Sequence, residues 1–115
     1  MADRQTPEQR LVLAVQDGLS LTVGDLGALV GVHGMTIYKW RWGKLTPSPY
    51  QAALLRAFER AVQLGYQPGR GVLSAMLLDR GVPRTLYEIL RHAGLDARFR
   101  EDADGCSLSF DRVVG

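Results

Sequence analysis

Apolar residues recur at spacings of three and four along most of the chain, and each run is bracketed by helix punctuation. Thr6-Pro7-Glu8-Gln9 combines a capping hydroxyl, a proline at the first helical position and a glutamine three residues after the cap. Leu11, Val12, Ala14 and Val15 follow as an apolar face, with Gly18 as the expected stop. Thr22 opens a short second helix, with Asp25 at the reciprocal capping position and Leu26, Leu29 and Val30 facing inward. Gly31 stands where a left-handed stop belongs. A third helix is expected from about Gly34 to Trp42, with Ile37 and Trp40 on one face and Gly43 as its terminator. Ser48-Pro49-Tyr50-Gln51 repeats the first start signal. Tyr50, Leu54, Ala57, Phe58 and Ala61 then form a stripe reaching Leu64, and Gly65 closes it. Val72, Leu73, Met76 and Leu77 pattern a fifth helix ending near Gly81. Val82, Leu86, Ile89, Leu90 and Ala93 line a sixth that begins at Pro83 and stops before Gly94.

The period then changes from helical to alternating. Arg98-Phe99-Arg100 and Cys106-Ser107-Leu108-Ser109-Phe110 flank Asp104-Gly105, which reads either as a short β-hairpin or as a disordered tail. The expected class is all-α. Trp40, Tyr50 and Phe58 are expected in the core, where their size bridges helices.

The chain has 115 residues, 46% of them apolar, enough for one domain that folds without a metal or disulfide. No run approaches the ~20 apolar residues of a membrane span, and Met1 to Pro7 has no signal-peptide core, so a cytoplasmic protein is expected. Cys106 is the sole cysteine, which excludes an intramolecular disulfide and a multi-thiolate zinc site. The net charge of +2 hides a segregation: residues 31 to 100 hold eleven cations against four acids, and both ends are acidic. Such a centre suits a polyanionic partner, although surface arginines on ordinary helices give the same sum.

Residues 21 to 48 carry the sharpest signal. Two short helices meet at Gly31, and Gly27 supplies a small residue where the first would approach the second. Leu26, Val30, Val32, Ile37 and Trp40 are spaced to anchor an inner face, which leaves His33, Met35, Thr36, Tyr38, Lys39 and Trp42 outside.

This segment resembles the Cro/xenobiotic-response-element (XRE) type of helix-turn-helix, the lambda-repressor-like DNA-binding domain. The resemblance rests on Leu21-Thr22, Leu26-Gly27, Gly31-Val32, Thr36-Ile37, Lys39-Trp40, Gly43-Lys44 and Pro47-Ser48, and with the flanking helices covers about residues 6 to 80. It implies a bundle of about five helices, here with an extra C-terminal helix, whose second motif helix lies in the DNA major groove. By that likeness His33, Gly34, Met35, Tyr38, Lys39 and Trp42 read bases: Lys39 bonds guanine, His33 donates to an acceptor and Met35 touches a thymine methyl. Thr22, Thr36, Arg41, Lys44, Thr46 and Ser48 hold phosphates. The chain departs from the pattern at Val23, where the family often has glutamine, and at Gly34, where a polar side chain is usual. Trp42 stands where a polar or basic residue is commoner, and is expected to pack against Tyr50 rather than stack on a sugar.

The expected function is a sequence-specific DNA-binding transcriptional regulator, a repressor in its simplest form, with no cofactor. It would act as a homodimer on a palindromic operator, since a second copy doubles the contacts of one small motif. Residues 1–66 form the DNA-binding domain in this reading and 67–115 the dimerisation region, with Leu73, Leu77, Leu86, Ile89 and Leu90 as its interface. Two other readings use the same scaffold: a protein-interaction module such as a phage adaptor, antitoxin or inhibitor, and a packaging or replication factor. An enzyme is not expected, because phosphate loop, nucleophile elbow and paired metal-ligand motifs are all missing. His92 reads as a surface residue and Cys106 as an inert thiol. His33 serves either the groove or the helix cap, and Asp102-Ala103-Asp104-Gly105 reads as a turn rather than a calcium loop.

Overall fold

The computed structural model describes residues 5–102 and 105–112, with side chains as far as Gly94. Six helices follow in order: α1 (Pro7–Gly18), α2 (Val23–Val30), α3 (Gly34–Arg41), α4 (Pro49–Gln63), α5 (Val72–Arg80) and α6 (Val82–His92). None of them is long and apolar enough to cross a membrane. Strands β1 (Leu95–Asp102) and β2 (Gly105–Arg112) then pair antiparallel, with Leu95 opposite Arg112 and Asp102 opposite Gly105. Of the turn expected at Asp104-Gly105, Gly105 instead opens β2, while Asp104, Ala103 and the side chain of Cys106 lie outside the described residues.

The helix starts follow the local chemistry of the sequence. At α1 the Thr6 N–H donates to Gln9 Oε1 (2.7 Å) and the Gln9 N–H to Thr6 Oγ1 (3.1 Å). At α4 Ser48 and Gln51 exchange the same two bonds, at 2.9 and 3.3 Å. Each box satisfies two amides that the first turn leaves without partners. Thr22 Oγ1 accepts from the Asp25 N–H (3.1 Å), but Asp25 does not reciprocate; its carboxylate instead accepts from the Ser74 hydroxyl of α5. Gly31 ends α2 at φ 81°, a left-handed conformation that side chains with a Cβ rarely adopt.

One cluster of buried side chains runs through the helices from Leu11 to Ala93. Val12, Val15 and Leu19 meet Leu26 and Leu29 from α2, Ile37 from α3, Leu54, Leu55, Phe58 and Ala61 from α4, and Leu73, Ile89 and Leu90 from α5 and α6. This corrects the interface read from the sequence. Leu73, Leu86, Ile89 and Leu90 are buried within the single chain and Leu77 packs against the same core, so their apolar surface is already spent. Two further corrections concern α4. Tyr50 is 64% exposed and Leu64 is exposed, because the inward stripe begins at Ala52 and ends at Ala61. Gly18 ends α1 as expected and also makes room for α4: a Cβ on it would lie 2.7 Å from both methyls of Val62, while the positive φ after the helix falls on Ser20.

Polar contacts complete the seat of α6. Arg60 Nε donates to the Ala93 carbonyl (3.0 Å), and the buried Thr85 hydroxyl donates to the Gly81 carbonyl (2.9 Å). The Tyr66 ring stacks on His92 with centroids 4.0 Å apart. Burial raises the Tyr66 phenol above its ordinary value and the Glu88 carboxylate adds to this, while Arg91 opposes it.

Gly27 is where α2 comes closest to the turn before α3. A Cβ there would stand 2.6 Å from the Val32 carbonyl oxygen and 3.3 Å from the Gly34 nitrogen. Gly24, one turn earlier, would meet nothing nearer than Thr22 Oγ1 at 3.9 Å. Gly27→Ala is therefore expected to destabilise the fold by about 1–3 kcal/mol, since the backbone must move. Gly24→Ala is expected to stabilise it by roughly 0.5–1 kcal/mol through helix propensity alone. Urea unfolding of the two variants checks the pair of opposite signs.

Candidate nucleic-acid interface

Helix α3 is held by its inner face and both of its ends. Ile37 and Trp40 are buried in the core, which fixes the rotation of the helix about its axis. At its start, the Val32 N–H donates to the Gly27 carbonyl (2.8 Å). At its end, Gln9 Nε2 donates to the Arg41 carbonyl (3.0 Å), so the side chain that closes the α1 capping box also ties α1 to α3. The N–H groups of Trp42 and Lys44 return to the carbonyls of Tyr38 and Lys39, both at 2.9 Å, and wind the exit of the helix tightly.

The opposite face is left open. Met35 (51% exposed), Tyr38, Lys39 and Trp42 (59%) lie at successive spacings of three, one and three, which puts them on one side of the helix. The rings of Tyr38 and Trp42 stack with centroids 5.6 Å apart and planes 24° apart. Arg41 Cζ lies 5.6 Å from the Tyr38 centroid, and Lys44 Nζ lies 5.6 Å from that of Trp42. Trp42 thus pairs with Tyr38, one turn back, and not with Tyr50 as the sequence led one to expect.

His33 is the N-cap of α3. Its Nδ1 accepts from the Met35 N–H (3.1 Å), which leaves the ring proton of a neutral imidazole on Nε2, pointing away from the cap. Cap and outward donor are compatible in one side chain. Gly34 does not belong to the exposed face. It is half-buried against α2, and a Cβ there would come within 3.3 Å of Val23 Cγ1. The two positions at which the sequence departs from the pattern it resembles therefore lie side by side, and neither carries a polar side chain.

The residues expected at phosphates are spread around this face. Lys44, Thr46 and Ser48 are exposed in and after the loop that follows α3, whereas Thr36 and Arg41 are half-buried. The hydroxyls of Thr22 and Ser48 accept capping bonds and keep their own protons to donate. Between Asp25 and Glu59 the chain has no acidic residue, and Lys39, Arg41 and Lys44 form no ion pair with the described residues. Across this stretch the positive charge is uncompensated.

The sequence reading missed a neighbour of Thr22. An open cleft of about 500 Å³ lies between α1 and the start of α5, lined by Gln16 and Thr22 together with Arg70 and Ser74. Gln16 Oε1 is buried there without a hydrogen-bond partner. Spacing could not reveal this cleft, because its walls come from elements distant in the chain. No group of three or more potential metal ligands occurs among the described residues.

His33→Ala is expected to lower stability by about 1 kcal/mol through loss of the cap, and His33→Asn, whose carboxamide oxygen caps equally well, to recover most of it. Thermal unfolding of both variants checks the capping role separately from any binding. Comparison of the chain with protein-family models, curated proteins and solved structures found no match.

Proposed function

We propose that the protein is a sequence-specific DNA-binding regulator in which α2 and α3 form a Cro-type helix-turn-helix and α3 enters the major groove. The observation that carries this reading is the division of α3. Ile37 and Trp40 lock one face into the core, while Met35, Tyr38 and Lys39 stand free on the other, in a stretch without a single carboxylate. An α-helix with its side chains matches the width of the major groove, where each base pair presents its own donors and acceptors. Lys39 is assigned to guanine O6 or N7, the His33 Nε2 proton to a base acceptor and Met35 to a thymine methyl. Lys44, Thr46 and Ser48 take phosphates, which set register without selecting sequence.

A second copy belongs to this reading, because one motif of this size buries only about 600–1,000 Å² on DNA. With Leu73, Leu86, Ile89 and Leu90 enclosed, the contact is reassigned to the outer face of α5. There Val72, Ala75 and Leu78 recur every three residues, and Leu78 is 91% exposed. Half-sites would then lie about 34 Å apart or at a multiple of it.

Selection of bound sites from random duplexes, followed by affinities at two salt concentrations, tests the proposal. Lys39→Ala is expected to cost about 1–3 kcal/mol on the selected site and to relax preference at one base pair. Lys44→Ala should weaken all duplexes alike and reduce the salt slope by about 0.9. Absence of salt-dependent binding to any duplex would leave the protein-interaction reading in its place. Leu78→Glu is expected to shift sedimentation from dimer to monomer and to weaken the selected site far more than random DNA; an unchanged dimer removes α5 from the interface.

A further inference from the structure

The recognition face carries more aromatic surface than base-edge reading uses. Base edges present hydrogen-bonding groups and methyls to the groove, while the faces of paired bases are covered by their neighbours in the stack. A large ring face can be matched only by another π face, a cation or an apolar group. Trp42 is 59% exposed, yet its ring is fixed at the well-bonded exit of α3 and stacked on Tyr38. The Lys44 ammonium stands over the Trp42 ring, 5.6 Å from its centroid, and Arg41 Cζ stands at the same distance from the Tyr38 centroid. Each ring of the stack thus has a cation beside it before any partner arrives, and none of Lys39, Arg41 and Lys44 is held by a carboxylate of the described residues.

We propose that Tyr38 and Trp42 form a stacking platform for one unpaired base at the end of α3, so that the preferred partner is duplex DNA interrupted by an unpaired nucleotide. This rests on the DNA-binding reading above and names the state of the DNA that it favours. The base takes the position over Trp42 that Lys44 occupies in the free protein. The displaced ammonium turns to the phosphate beside that base, so that one residue guards the ring and then neutralises the backbone. In a fully paired duplex the base is not available, and the platform goes unused. Stacking tolerates any base, because every base has a π face. The platform therefore adds affinity for a DNA shape, while Lys39 and His33 add sequence preference.

The test uses the full-length protein and a short duplex carrying the site selected above, with and without one unpaired adenine. Affinity and tryptophan emission are read together. Trp40 lies in the core and supplies a constant background, so a change in emission on binding reports Trp42. The expected result is roughly tenfold tighter binding of the interrupted duplex, with quenching that the paired duplex does not produce. Trp42→Ala should bind the two DNAs equally, and Trp42→Phe should keep part of the difference. Far-ultraviolet circular dichroism of both variants confirms that they fold. Equal affinities and equal emission for the two DNAs, with the paired duplex still bound, overturn this inference and leave the regulator reading standing. Failure to bind either DNA overturns the regulator reading itself.

Discussion

The Val32 carbonyl oxygen lies 2.6 Å from the place where a Cβ on Gly27 would sit. Everything proposed for α3 depends on that approach. Because residue 27 has no side chain, α2 can lie against the chain entering α3, and the Gly27 carbonyl accepts from the Val32 N–H. The turn at Gly31 is thereby closed within four residues, and Ile37 and Trp40 are brought to the core in the register that leaves Met35, Tyr38 and Lys39 outside. A larger residue would move α3 as a body, since the atom it meets belongs to the backbone and has no rotamer to escape into.

The same economy appears at the other end of the helix. Gln9 is a capping-box residue by position, yet its amide nitrogen reaches the Arg41 carbonyl and anchors the last turn of α3 to α1. A rigid helix would make the proposed recognition face effective, because side chains whose backbone is fixed lose less freedom when they bind. Lys39, Arg41 and Lys44 fall in the stretch between Asp25 and Glu59 that holds no acid, which is how a chain of net charge +2 would suit the polyanion proposed for it. Around α3 the paired rings and the cations beside them, which form no ion pair with the described residues, stand together.

Much of the fold was legible because its signals are local. The caps at Thr6, Thr22 and Ser48, the left-handed Gly31 and the core residues Ile37, Trp40 and Phe58 all stand where spacing placed them. The errors share a cause. Leu73, Leu86, Ile89 and Leu90 were given to a partner because a five-helix bundle has no need of them, but α6 packs onto α4 and α2 and takes them into the same core. Tyr50 was placed inside because it heads an apolar stripe, yet it sits on the first turn of α4 and remains exposed. Periodicity tells which residues share a face, and says nothing of how far along its length that face is covered.

By itself the sequence determined where α1, α2 and α4 begin and where α2 ends, because capping bonds and a left-handed glycine act within a few residues of one another. It also determined that the stretch containing the third helix carries cations and no acid, which follows from the order of charges along the chain and not from their total. Only the tertiary structure decided that Gly34 rests on Val23, that Trp42 lies on Tyr38 beside Lys44, and that α6 closes the core. Each of these depends on the angle at which separate elements meet or on a side-chain rotamer chosen after packing. Neither quantity is encoded in the spacing of residue types along a chain.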